Sequence, residues 1–300
     1  MSSELTRRNF LLALGVAGVA RKVTPQSSIR NPQSAMRVGY AAITWGGDDE
    51  RAIDEIAEVG YKGIQLRNSA VDRWGASPAA LRDLLAQKHL TLAVLSSGNL
   101  RIDPALEQQE LATHVAHAKF VRDVGGSLLQ VIDERPKGRA IVAADYVRLG
   151  TLMTELGKRT ADIGVPLVYH HHMNSLGENP LEIDAVLDAT DPRHVGVLFD
   201  IAHYQQGGGD PVAAIRRYRD GIRVVHLKDV RNVDAAPGYQ WVELGRGRVG
   251  VKACVAALKD IGFTGWAIIE LDKVPDAGGS PKGSAILNKE YADRQLGLAL

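Results

Sequence analysis

The sequence predicts a single-domain α/β protein, a closed (β/α)8 TIM barrel over residues 36–300, and three observations point to it. From Arg37 onward, short apolar or β-branched runs alternate with longer amphipathic ones; eight of the short runs occur; and several helical runs stop on glycine, as in "AEVGYKG", "ADIGVP" and "KDIGFTG". Parallel strands need long returning crossovers, and a glycine in the left-handed conformation ends a helix before the next strand. Eight such units in one chain close a barrel more naturally than they extend a doubly wound sheet.

In chain order, residues 1–35 stand apart. "TRRNFLLALGVAGVARK" joins Arg7 and Arg8 to an apolar run from Phe10 to Ala20, and "RKVTPQSSIRNPQSA" follows as a polar linker. A helix over that apolar run spans about 16 Å, short of a bilayer core of about 30 Å, so a cleaved export signal is expected rather than a lasting membrane anchor. "TRRNFL" resembles a twin-arginine signal, which implies periplasmic delivery of a folded protein.

The predicted strands then run "RVGYAAI", "YKGIQL", "LTLAVLSS", "SLLQVI", "VPLVYH", "HVGVLFD", "RVVHLKD" and "GWAIIEL". Between them lie helical patterns such as "DDERAIDEIAEVG", "SPAALRDLLAQKHL", "AADYVRLGTLMTELGKRTADIG" and "DPVAAIRRYRDG". Lysine plus arginine (36) nearly equals aspartate plus glutamate (35), so no field gathers phosphates, and nucleic acid is not expected as a partner. Cys254 is the only cysteine, which rules out an intrachain disulfide. Nothing in the sequence speaks against a homo-oligomer.

In a barrel the chemistry sits where strands end, and the later strand ends carry unusual residues. Alternation puts His170 and His172 on one face and His171 on the other. Asp200 closes the next strand with His203 three residues on, His226 and Lys228 share a face of the seventh, and Glu270 ends the eighth. Charged or imidazole groups at the ends of apolar strands need partners. His170, Asp200, His226 and Glu270 on four successive strands form a mixed nitrogen–oxygen set for one divalent ion, with Mn, Co, Zn or Fe favoured over Mg. His114, His117, His89 and His194 fall on helices or turns and are set aside.

"GRGRVG" matches the glycine pattern of a dinucleotide loop, but only 50 residues remain beyond Gly250, too few for a nucleotide domain. These glycines are instead expected to let a loop pass the barrel mouth, with Arg246 or Arg248 facing substrate. Trp45, Trp74 and Trp241 offer apolar faces for sugar C–H groups, while Gln65, Gln130 and Glu243 are candidate polar contacts.

At "ITWGGDDERAIDEIAEVGYKGIQLR", "VYHHHMNS", "VGVLFDIAHYQQGGGDP", "VVHLKDVRNV" and "GWAIIELDKVPD" the chain resembles the xylose-isomerase-like barrels, a superfamily of sugar isomerases and epimerases, and within them the inosose dehydratases. The resemblance implies metal ligation by His170, Asp200, His226 and Glu270. Many superfamily members carry glutamate at the position of His170, and this chain does not. The activity expected on this basis is that of a metal-dependent lyase acting on a keto-polyol or ketosugar, such as an inosose or a 3-keto-glucoside, through an enediolate. His172 or Lys228 serves as base beside Glu270, and Trp45, Gln65, Gln130, His203, Asp229, Arg231 and Arg246 meet a sugar or cyclitol substrate. The alternatives are a metal-dependent isomerase or epimerase, which needs a second acid, and a non-catalytic periplasmic sugar-binding barrel. An endonuclease would need more ligands and a basic groove.

Overall fold

The computed structural model describes residues 36–298; the expected export signal and linker of residues 1–35 lie outside the described residues. The strands are β1 (Arg37–Ala41), β2 (Gly63–Arg67), β3 (Thr91–Leu100), β4 (Leu128–Asp133), β5 (Leu167–His170), β6 (Val195–Asp200), β7 (Ile222–Leu227), β8 (Asp229–Asn232), β9 (Tyr239–Val242) and β10 (Trp266–Ile269). Eight of them close a parallel barrel in the order β1-β10-β7-β6-β5-β4-β3-β2. The helices are α1 (Asp49–Val59), α2 (Ser69–Trp74), α3 (Pro78–Gln87), α4 (Glu107–Val124), α5 (Ala143–Asp162), α6 (Pro180–Asp188), α7 (Ile201–Gln206), α8 (Pro211–Arg217), α9 (Val251–Asp260) and α10 (Pro281–Tyr291). The helix stops expected from glycine are present, with Gly60 at φ 103° and Gly164 at φ 84°.

Apolar side chains close the lower barrel. Val168, Leu198, Val224, Trp266 and Ile268 pack together inside it. A side chain at Gly63 would bring a Cβ within 2.3 Å of the Trp266 ring, so glycine is what lets this indole plug the floor. Above this layer, the same inward alternation brings up Gln65, Gln130, His170, Asp200, His226 and Glu270, all buried. The apolar floor thus turns into a polar mouth within one pleat.

One predicted element differs. "RVVHLKD" is expected as one strand, yet β7 stops at Leu227, and the chain leaves the barrel through Lys228 into an antiparallel hairpin of β8 and β9. Asp229 pairs with Val242 and Asn232 with Tyr239 in that hairpin. Among the described residues no helix is long and apolar enough to cross a membrane.

Candidate active site

Asp200 is the hinge of the site. As the N-cap of α7, its Oδ1 accepts from the backbone N–H groups of Ala202 and His203, both at 2.8 Å, which consumes one oxygen and aims the other. Oδ2 is buried without a hydrogen-bond partner. Around it lie His226 Nδ1 at 3.3 Å and His170 Nε2 at 3.7 Å, two more buried atoms that lack a partner. Glu270 Oε2 lies 3.5 Å from His226 Nδ1.

These separations decide what the cluster is for. Ligand atoms about 2.1 Å from one ion stand roughly 3–3.5 Å from each other, close to the spacings observed. Three convergent buried atoms with unspent lone pairs are costly alone and are satisfied together by a cation. Asp200, His226 and Glu270 offer ligand atoms within 4.8 Å of one another, as do His170, Asp200 and His203. His203 Nε2 lies 3.3 Å from Lys228 Nζ, however, and accepting that ammonium's proton engages its lone pair. The set with free electron pairs is therefore His170, Asp200, His226 and Glu270.

Both imidazoles are held from behind. His226 Nε2–H donates to Gln65 Oε1 at 2.9 Å, leaving Nδ1 unprotonated toward the cluster. Gln130 lies 3.0 Å from His170 Nδ1, with its amide oxygen unpartnered. Turning that amide over lets Nδ1–H donate to the oxygen and frees Nε2. Gln65 and Gln130 thus hold the two buried imidazoles from behind.

The electrostatics favour a neutral imidazole and charged carboxylates. Burial holds His170 down to about 4. Burial would push Glu270 up, but His226 and Lys228 outweigh it and bring it to about 2. Burial would likewise raise Asp200, yet the surrounding His203, His170 and His226, with the Lys228 ammonium, keep it well below the usual carboxylate range. Asp200, Glu270 and Asp272 gather three carboxylates at this end of the barrel, and the buried Lys228 ammonium pairs with two of them.

Lys228 corrects one expectation. Its Nζ donates to Glu270 Oε1 at 2.9 Å and Asp272 Oδ1 at 2.6 Å, and sits 4.4 Å from the Trp241 ring centre. Burial alone would lower its pKa, but Asp272 and Glu270 hold the ammonium well above lysine's ordinary value. A lysine so locked is no base. His172 is differently placed: it lines the cavity, its Nδ1–H donates to the Met173 carbonyl at 2.7 Å, and Nε2 is left as an acceptor. His171 faces the other way, packs on Phe199 and Tyr204, and accepts from the Asp200 backbone N–H.

The cavity over the cluster holds about 200 Å³ and is lined by Gln65, Arg67, Ser96, Gln130, His170, His172, Glu270 and Asp272 among others. Other expected substrate contacts lie elsewhere. Trp45 is buried in the wall after β1, edge-on to Tyr40, with its indole N–H donating to Glu55. Trp74 is buried in the core, whereas Trp241 packs against His203. Arg231 is exposed and binds Gln240 across the hairpin, because the chain has already left the barrel rim. Arg246 pairs with Glu243, and Arg248 with Asn232 and Gln205.

Asp229 explains the glycine pattern. Its carboxylate accepts from the N–H groups of Gly245, Gly247 and Val249, all within 3.1 Å, so the loop wraps an internal carboxylate where a phosphate loop would wrap a nucleotide. A Cβ at Gly247 would lie 2.2 Å from Asp229 Oδ1. Sequence reasoning missed Asp272 and Arg67, although each lies two residues past a named inward position, Glu270 and Gln65, and strand alternation would have found both.

The family model of the xylose isomerase-like TIM barrel matches residues 53–290. The chain belongs to that family. Among curated relatives of this barrel, the inosose dehydratase of Lacticaseibacillus casei is 28% identical over 298 residues, 88% of this chain and 98% of that protein. The inosose dehydratase of Geobacillus kaustophilus is 29% identical over 295 residues, 86% of this chain and 94% of its own. A crystal structure of the IOLI protein with a binding zinc atom superposes with a TM-score of 0.72 at 17% identity, over 86% of this chain and 97% of that one. The chain is an enzyme of this superfamily.

Proposed function

We propose that this barrel is a divalent-metal-dependent dehydratase of a keto-polyol, a cyclitol or ketosugar. The observation that carries the proposal is His172, an imidazole in the cavity wall whose Nε2 is left as an acceptor, beside four atoms arranged for one ion. Two imidazoles and two carboxylates suit Mn, Co, Zn or Fe better than Mg. A bound divalent ion supplies Lewis acidity, polarising a substrate carbonyl and easing loss of the neighbouring C–H proton. His172 Nε2 takes that proton; the C–H electron pair becomes the new C=C bond; and the imidazolium returns the proton to the departing β-hydroxyl, which leaves as water. Gln65 and Gln130 fix the ligand imidazoles, while Lys228 and Asp272 hold Glu270.

An epimerase must return a proton to carbon from a second acid. Lys228 spends its donors on Glu270, Asp272 and His203, which favours elimination over epimerisation. Relatives named inosose dehydratase and the zinc in the IOLI structure support the reading. The test is incubation of protein loaded with Mn, Co or Zn with 2-keto-myo-inositol in deuterated water. An unsaturated, dehydrated product supports the lyase. Deuterium in recovered substrate with no such product favours the isomerase, and tight binding with no turnover across a ketosugar panel favours the sugar-binding barrel.

A further inference from the structure

Arg67 is the charged group in the cavity lining that the chemistry above leaves unused. β2 carries Gln65 and Arg67 on the same face, so Arg67 stands one pleat beyond the amide that holds His226. Its register partner is Ser96, whose hydroxyl lies 3.3 Å from the Gln130 amide. Arg67 and Ser96 line the cavity together with Asn68 and Asn99. Arg67 is exposed, its guanidinium has no ion-pair or hydrogen-bond partner among the described residues, and Asp49, the carboxylate that feels its charge, is bonded by Ser69.

The charge balance gives this group a role. Asp200, Glu270 and Asp272 bring three negative charges to this end of the barrel, Lys228 returns one, and a divalent ion would return the other two. Arg67 is then a cation with no hydrogen-bond or ion-pair partner of its own among the described residues, on a wall that lines the cavity. We infer that the substrate carries a carboxylate, gripped by the Arg67 guanidinium while its keto-polyol part reaches the four-atom centre. A guanidinium's planar fork matches a carboxylate with two parallel hydrogen bonds. A cavity of about 200 Å³ is below the usual range for drug-sized ligands and suits one substituted ring. The inference rests on the keto-polyol reading and narrows it from neutral cyclitols to polyhydroxy acids. A phosphate monoester would present the same oxyanion chemistry from another source.

The test is calorimetric titration of the metal-loaded full chain with quinate, a cyclic polyol carboxylate, with its uncharged counterpart myo-inositol, and with myo-inositol 1-phosphate. Quinate is expected to bind about tenfold more tightly than myo-inositol. Arg67→Gln is expected to erase that preference, with Arg67→Lys recovering part of it. Stronger binding of the phosphate than of quinate, lost in Arg67→Gln, overturns the carboxylate in favour of a phosphate. A quinate preference that survives Arg67→Gln belongs to chelation of the ion and overturns the inference, as does no preference, or no binding of either anion, in the wild type. An Arg67-dependent preference in a protein that turns over no keto-polyol would sink the lyase proposal and leave this inference standing.

Discussion

Replacing Gln65 with leucine removes the acceptor behind His226 at nearly constant volume. The structure sets the size of the effect. His226 is fully buried, and its Nε2–H has a single acceptor, Gln65 Oε1 at 2.9 Å; the same amide donates to Glu270 Oε2 at 3.4 Å. Stranding a buried donor costs about 1–3 kcal/mol, and each 1.4 kcal/mol is about tenfold in affinity. Gln65→Leu should therefore bind a divalent ion about 10–100-fold more weakly, the range found when groups behind metal-ligating histidines are removed. The assay is competition between the protein and a chromophoric chelator for Co or Zn, with circular dichroism to verify the fold. A folded Gln65→Leu that binds the ion as tightly as wild type would show that Gln65 does not aim His226.

Other perturbations separate the roles of the remaining residues. On the proposed mechanism, in which His172 is the base and not a ligand, His172→Gln should lower kcat by about 10²–10⁴ while metal content stays at one ion per chain; loss of metal in that variant would count against this division. Gly247→Ala should lower the melting temperature, because its Cβ would meet Asp229 Oδ1 at 2.2 Å, with overpacking typically costing about 1–3 kcal/mol; an unchanged melting temperature would show that the loop gives way freely. His114, outside the site and bonded to Ser97, is pushed by burial from 6.5 down to about 4. The folded chain holds it neutral while the unfolded chain protonates, so its stabilisation is present above about pH 6.5 and is lost as pH falls toward 4. That loss is on the order of 3 kcal/mol. Denaturant titrations of metal-free protein between pH 7 and 4.5 should show a shallower decline in His114→Leu, and an identical slope would contradict the assignment.

The fold was legible because the hydrophobic period changes visibly from two in runs such as "RVGYA" to nearly four in "DERAIDEIAEV", and because glycines such as Gly60 mark the returns. The four candidate ligands were legible for a chemical reason. A carboxylate or imidazole directly after an apolar strand has no cheap fate in isolation, and four successive strands share that feature. The hairpin was hidden because "KDVR" and "YQWV" alternate just as barrel strands do, and only pairing reveals that they leave the barrel. That excursion carried Asp229, Arg231 and Arg246 away from the rim positions expected of them. Trp45 was misplaced because a short 3-10 turn from Ala42 to Trp45 follows β1 and rotates the indole into the wall. The role of Lys228 depends on Asp272, whose distance from it cannot be read along the chain.

In the proposed function, ligand orientation, base and substrate grip all depend on one divalent ion held jointly by four barrel strands. X-ray diffraction from cobalt- or zinc-loaded crystals, with anomalous scattering measured at the metal edge, tests this arrangement without an intermediary. One peak is expected, about 2.0–2.2 Å from His170 Nε2, Asp200 Oδ2, His226 Nδ1 and Glu270 Oε2. A peak centred instead on His203, or no peak in this cluster in crystals soaked with the metal, would contradict it.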